Sequence, residues 1–259
     1  MGAVSSAGAV RYGEDRAVAC ITLDRPPLNV LTLDMLEALG AALDRAARTP
    51  GLKAVLLAAE GKAFCAGVAV EDHLGERVRP MLDAFHRVFR GLYALECPTV
   101  AAVQGAALGG GAELATFCDV VVAEERATFG QPEIKVGVFP PIAALHYPHR
   151  IGPAPTLRLL LTGEVVSAAE AHRLGLVDRV VPTGELAGAV TAELDRFRGL
   201  SGVVLRLTKR AVRAAAGRSF DEALSVLEEL YHHELMTTAD SEEGLRAFLD
   251  KRTPVWKDR

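Results

Sequence analysis

Val103-Gln-Gly-Ala-Ala-Leu-Gly-Gly-Gly-Ala-Glu113 carries the chain from an apolar, β-forming run into a triple glycine and then into a helix. Glycine lets the backbone come close to a ligand, and the start of a helix presents unpaired N–H groups with a partial positive charge. That junction suits an oxyanion. Glu113 stands just inside the helix, where its carboxylate can face the same ligand.

On either side of this junction, strands and helices alternate. Pro98 to Val103 reads as the strand that feeds it, and Asp119 to Ala123 as the next strand. Upstream, Ala17 to Leu23 is a β-branched apolar stretch stopped by Asp24-Arg25-Pro26-Pro27, and Lys53 to Ala59 is a strand ended by Glu60-Gly61-Lys62. Between them Leu33, Leu36, Leu39 and Leu43 recur at helical spacing, with Thr32 placed to cap the first turn and Asp34 at the positive end of the dipole. Leu82, Phe85, Phe89, Leu92 and Leu95 make a second apolar stripe, a core face whose Phe85 and Phe89 can also edge a pocket. From Pro153 onward the pattern is helical apart from a strand over Gly175 to Val181. Strands joined through helices predict an α/β fold with a mainly parallel sheet. We expect a core over residues 1–195 and a helical C-terminal region over 196–259.

Composition narrows the function. The 259 residues carry 29 Lys plus Arg against 33 Asp plus Glu, a net charge of -4, and half of them are hydrophobic. So apolar a chain can offset the entropy of ordering, which excludes wholesale disorder. Slight acidity without a Lys/Arg-dense stretch argues against nucleic acid as a partner. No run approaches the eighteen or so apolar residues of a membrane span, and the first residues lack a basic cluster followed by an apolar leader, so a cytoplasmic protein with no membrane partner is expected. Met1-Gly2 with Ser5 and Ser6 brushes against an acylation pattern but reads as an ordinary start. Cys20, Cys65, Cys97 and Cys118 are spread singly, which suits buried thiols in a reducing compartment.

A second segment, Phe129-Gly130-Gln131-Pro132-Glu133, fixes the backbone with a proline just before another carboxylate. Two carboxylates beside an oxyanion site suit proton transfer next to a carbonyl. Other polar residues have plainer readings. His146 with His149, and His232-His233, lack acidic or Cys partners in a metal pattern, so no metal is expected. Asp72 reads as a loop charge sooner than as a catalytic group, Cys65 equally as a small buried filler or a nucleophile, and Trp256 as an interface anchor or a cover for the C-terminal helix.

The strings AFCAGV at Ala63 to Val68, VQGAALGGGAELATFCDVVVA at Val103 to Ala123, and FGQPEIKVGV at Phe129 to Val138 resemble the enoyl-CoA hydratase (crotonase) family. The likeness continues in ITLDRPPLNVL at Ile21 to Leu31, LTGEVVSAAEAHRLGLVDRVVP at Leu161 to Pro182 and EGLRAFLDKR at Glu243 to Arg252. It implies a spiral of ββα units, with C-terminal helices that take part in trimers or pairs of trimers. It also implies an acyl-CoA thioester substrate, coenzyme A entering as part of that substrate and no separate cofactor.

Carried over by position, the backbone N–H groups of Val68 and Gly110 form the oxyanion hole, and Glu113 and Glu133 are the catalytic pair. In that pair Glu133 exchanges the α-carbon proton while Glu113 positions and activates water. Ala66, Gly67, Ala69, Val70, Glu71, Gly109, Pro132 and Phe139 line the substrate, and Phe248 and Lys251 approach the adenine and phosphate groups.

Two departures stand out. Val68-Ala69 replaces a common Ala-Asp, and Val138-Phe-Pro-Pro-Ile-Ala-Ala-Leu-His-Tyr-Pro-His149 replaces a glycine-rich stretch. The latter, with RPPLNVL and Glu71-Asp72-His73, resembles the cyclohexa-1,5-diene-1-carbonyl-CoA hydratases. A rigid acyl-pocket wall at Phe139 to Ile142 is therefore expected. Alternative readings are a double-bond isomerase, which needs only one acid/base, and a non-catalytic acyl-CoA- or RNA-binding relative. A doubly wound nucleotide-binding domain fits poorly, because the triple glycine does not make GxGxxG after a first strand.

Overall fold

The computed structural model describes residues 8–259, so the Met1-Gly2 pattern with Ser5 and Ser6 lies outside the described residues. In chain order the elements are β1 (Val10–Asp15), β2 (Val18–Leu23), α1 (Leu33–Arg48), β3 (Ala54–Ala59), α2 (Val78–Ala94), β4 (Thr99–Val103), β5 (Ala106–Leu108), α3 (Gly110–Thr116), β6 (Val120–Glu124), β7 (Thr128–Gly130), α4 (Pro141–Ile151), α5 (Pro153–Thr162), β8 (Val165–Ser167), α6 (Ala168–Leu174) and β9 (Arg179–Val181). Four helices follow, α7 (Leu186–Arg198), α8 (Gly202–Ala215), α9 (Phe220–Leu230) and α10 (Ala239–Leu249).

Six strands form one sheet in the order β1-β2-β3-β4-β6-β9. Only the β1–β2 pairing is antiparallel; the other four pairings are parallel. A small second sheet orders β5-β7-β8. The alternating α/β architecture with its mainly parallel sheet is thus present.

The sheet is buried on both faces, as a parallel sheet must be. Ala101 and Val103 of β4 join the main core under α1 and α2, while Val100 and Ala102 point to the opposite face, which Ala189, Val190 and Leu194 of α7 cover. On α1 the buried face is Met35, Leu36, Leu39, Leu43 and Ala46. On α2 it includes Phe85, Val88, Phe89 and Leu92, whereas Leu82 stays half-buried.

Two local expectations are corrected and one hairpin is added. Thr32 precedes α1 without a side-chain cap; its Oγ1 instead accepts from the Arg25 guanidinium at 2.7 Å. The strand expected over Gly175 to Val181 shrinks to Arg179–Val181, because Gly175 is the left-handed cap of α6 with φ 95°. The β1 hairpin was not read from sequence, since Arg16 and Ala17 make its turn at φ 44° and 64° without the Asn-Gly or Asp-Gly that signals such a turn.

The division drawn at 195/196 falls inside α7. Beyond it, Lys209 Nζ on α8 donates to Asp119 Oδ2 at 2.5 Å and to Cys97 O at 2.9 Å, which ties the C-terminal helices to the starts of the interior strands β4 and β6. Trp256 Nε1 donates to Gly199 O at 2.8 Å, and its ring lies against Gly244, so it covers α10. All four cysteines are free thiols. Among the described residues no helix is long and apolar enough to cross a membrane.

Candidate active site

Two side-chain amides, one buried and one half-buried, hold the loop that leads to Val68. Asn29, fully buried, accepts from Arg25 N–H at 2.8 Å and donates to Glu60 O at 2.8 Å and Ala63 O at 2.9 Å. Gln104 Nε2 reaches the same loop through Ala59 O at 2.9 Å and Ala63 O at 3.1 Å. Leu31 then pairs with the strip that follows: Leu31 N–H donates to Gly67 O and Ala69 N–H to Leu31 O, both at 2.9 Å. On the other side Leu108 N–H donates to Cys65 O at 2.9 Å. Ala66 to Ala69 is therefore held between Leu31 and β5.

In that pairing the Val68 N–H faces away from Leu31, and among the described residues it meets no acceptor; the same holds for Gly110, whose N–H opens α3. The two residues touch, for a Cβ at position 110 would stand 2.9 Å from Val68 Cγ2 and 3.0 Å from Phe85 Cε2. The start of α3 is pressed onto the strip: a Cβ at Gly111 would lie 2.1 Å from Cys65 O. Two free N–H groups thus sit beside an apolar wall of Val68 and Phe85.

Both carboxylates reach the same place. Glu113 is 2% exposed, and its Oε1 accepts from Ala143 N–H at 2.7 Å, in the first turn of α4. Burial pushes its pKa up to about 8; the amides of Ala143 and Ile142 oppose the rise, and the charge of Glu133 adds to it. Glu133 is half-buried in a short 3-10 turn, Pro132–Val136, and burial raises it to about 7. Its Oε1 lies only 2.5 Å from where a Cβ at Gly109 would stand. Gly109, at φ 52° and ψ -130°, thus lies between the unpaired Gly110 N–H and Glu133. Two raised carboxyls near two unpaired N–H donors are equipped to move protons at a carbon next to a carbonyl.

The stretch expected as a wall is the start of α4. Pro140 is extended at its N-cap and Pro141 occupies the first turn, which sets the Ile142 and Ala143 amides on Glu113. Ile142 is buried, but Phe139 is 71% exposed on the surface. Phe89 stacks edge-on with Phe85 at 4.8 Å and with Phe117 at 5.2 Å, and His146 lies 5.0 Å beyond, its Nε2 at 3.0 Å from Thr116 O.

Val70 and Glu71 are exposed, and Asp72 pairs loosely with Arg77 at 3.9 Å. Cys65 is a buried filler, its thiol pushed by burial up to about 12. Phe248 is 83% exposed and Lys251 follows the end of α10, which packs chiefly on α8. Among the described residues no group of three or more His, Cys, Asp or Glu is placed to hold a metal ion.

Sequence reasoning missed Asn29, Gln104, Gln131 and Tyr147, which act by holding others. Single polar side chains carry no periodicity, so only their neighbourhood to proline and glycine could have flagged them.

Residues 13–259 match the family model for enoyl-CoA hydratase/isomerase. The chain is 36% identical to a cyclohexa-1,5-dienecarbonyl-CoA hydratase of Thauera aromatica, covering 100% of each. It is 38% identical to a probable enoyl-CoA hydratase of Mycobacterium bovis, covering 95% of this chain and 96% of that one. Among solved structures, an enoyl-CoA hydratase from Mycobacterium smegmatis superposes with a TM-score of 0.91 at 30% identity, over 96% of this chain and 99% of that one. With the ordered motifs, the fold and the paired carboxylates in agreement, the chain belongs to the enoyl-CoA hydratase/isomerase family.

Proposed function

We propose that the protein is an enoyl-CoA hydratase, adding water across the double bond of an α,β-unsaturated acyl-CoA thioester. What supports this is that Glu113 and Glu133, both raised by burial and coupled through their charges, lie near Gly109 and Gly110, and that the Val68 and Gly110 N–H groups have no acceptor among the described residues. The thioester oxygen sits on those two donors. Glu113 takes a proton from water as the oxygen bonds to the β-carbon, and the electron pair moves toward the thioester oxygen. Glu133 delivers its proton to the α-carbon. Burial raises both carboxyls and their charges couple, so the two can share a proton and exchange it through water and substrate. Both carboxyls are used, which favours hydration over isomerisation.

Coenzyme A enters as part of the substrate, along the Ala66 to Glu71 strip, with no separate cofactor. Phe248 and Lys251 reach its adenine and phosphate end within an assembly of three or six chains. That assembly is supported by the exposure of Phe220 at 78%, Tyr231 at 54% and Leu224 at 41% on the C-terminal region, residues 196–259. The four free thiols suit a cytoplasmic location.

A cyclic dienoyl-CoA is the preferred substrate in this reading. It is supported by the resemblance to the Thauera relative and by the proline-fixed start of α4, where Pro140 and Ile142 are buried near Glu113. Turnover of crotonyl-CoA and of cyclohexa-1,5-diene-1-carbonyl-CoA is compared by the loss of conjugated thioester absorbance. A higher kcat/KM for the ring is expected, with discrimination of about 1–3 kcal/mol per misfitted group. Preference for the straight chain returns the protein to general hydratases; turnover of neither overturns the hydratase reading.

A further inference from the structure

Behind Glu133 a chain of buried polar groups runs back to α3. Gln131 and Tyr147 are each 1% exposed and Thr116 is 0% exposed. A buried hydroxyl is costly unless paired, and Tyr147 Oη lies 2.9 Å from the Gln131 amide and 3.4 Å from Thr116 Oγ1. Thr116 already gives its own proton to Ala112 O at 2.6 Å. Of the two oxygens left as acceptors, Gln131's at 2.9 Å is nearer than Thr116 Oγ1 at 3.4 Å, so the Tyr147 proton goes to Gln131. In that arrangement the Gln131 nitrogen lies 3.2 and 3.3 Å from the two Glu133 oxygens and 3.3 Å from Gly109 O. The reverse arrangement would aim the amide oxygen at the carboxylate and at Gly109 O, where it finds only other acceptors.

We propose that Tyr147 is a positioning residue for Glu133: by donating to the Gln131 oxygen, its hydroxyl fixes the amide so that Glu133 meets a donor. α4 thereby serves both carboxyls, Glu113 through the Ala143 N–H and Glu133 through Tyr147 and Gln131. The inference rests on the reading of Glu133 as the group that exchanges the α-proton. The titratable groups facing Glu133 are Glu113 from α3 and Tyr147 from α4; Lys135 of its own turn runs toward Gly163.

Tyr147→Phe keeps the ring and removes the hydroxyl. Gln131 is then free to turn its oxygen toward Glu133, which favours the protonated carboxyl. In the dehydration direction, where Glu133 must be ionised to take the α-proton, the acid limb of kcat against pH moves up. The expected shift is about half to one pH unit, the size of one hydrogen bond's contribution, with KM unchanged.

Gln131→Met is the second variant and gives the same shift without touching Tyr147. Tyr147→Phe added to it gives no more, because the tyrosine acts only through that amide. A Tyr147→Phe profile that coincides with the parent's, or a shift that adds in full to that of Gln131→Met, overturns the inference. Should Tyr147→Phe not fold, an unshifted Gln131→Met profile does so alone. Glu133→Gln is measured alongside: if it turns over normally, the reading of Glu133 fails and the inference with it. If it is inactive while the other profiles stay put, only the inference fails.

Discussion

Replacing Gly109 by Ala strikes the junction of the site. A methyl there would stand 2.5 Å from Glu133 Oε1 and 3.3 Å from its carboxyl carbon, so the carboxylate must retreat by roughly 1 Å to reach ordinary contact. A displacement of that size at a reacting group costs about a hundredfold in rate. The backbone adds its own cost. At φ 52° and ψ -130° an alanine is strained by about 1–3 kcal/mol. At roughly 2–4 °C per kcal/mol for a chain of this size, that lowers Tm by several degrees without abolishing the fold. Circular dichroism melts and steady-state hydration of crotonyl-CoA read the two effects separately. A folded Gly109→Ala variant with turnover within threefold of the parent would refute the placement of Glu133 against Gly109 in the working enzyme.

Other outcomes follow from single groups. Glu113 binds its proton more tightly folded, at about 8, than unfolded, where 4.5 applies; its contribution to stability is full below pH 4.5 and is lost as pH rises through 8. Glu113→Gln should therefore melt higher than the parent at pH 8–9, with the gap closing toward pH 4.5, and a pH-independent gap counts against the buried carboxyl. Asp240, 1% exposed, accepts from Ser201 Oγ at 2.5 Å, Lys257 N–H at 2.7 Å and Asp258 N–H at 3.0 Å. Asp240→Ala should cost about 2–4 kcal/mol in urea unfolding with the hydration kcat little changed, and a loss under 1 kcal/mol would contradict that network. Light scattering should give the mass of three or six chains; a stable, active monomer would contradict the assembly.

Much of the site was legible because it is local. The glycines, the helix start and Glu113 fall within one short string, and Pro132 announces Glu133. Apolar periodicity likewise exposed α1 and α2, since their buried faces repeat at helical spacing. What stayed hidden is long-range. β5, β7 and β8 have three residues each, too short for alternation to register, yet they place Val68 and Glu133. The Phe139 to Ile142 stretch read as a wall because prolines suggest rigidity. The helix it begins, and the amides it turns toward Glu113, depend on a partner 30 residues away. Gln131 and Tyr147 give no pattern of their own; only the packed structure shows them sharing a hydrogen bond.

In the proposed reaction both carboxyls act in one hydration. The most direct test is single-turnover and steady-state hydration of crotonyl-CoA, and of the cyclic dienoyl-CoA, by the parent, Glu113→Gln and Glu133→Gln, each checked for fold by circular dichroism. The amide keeps the size of the carboxyl and removes its proton chemistry. The expected result is that the parent hydrates at least one of the two thioesters and that each folded variant is about a hundredfold slower or worse. A folded Glu113→Gln or Glu133→Gln with near-parent turnover would contradict it.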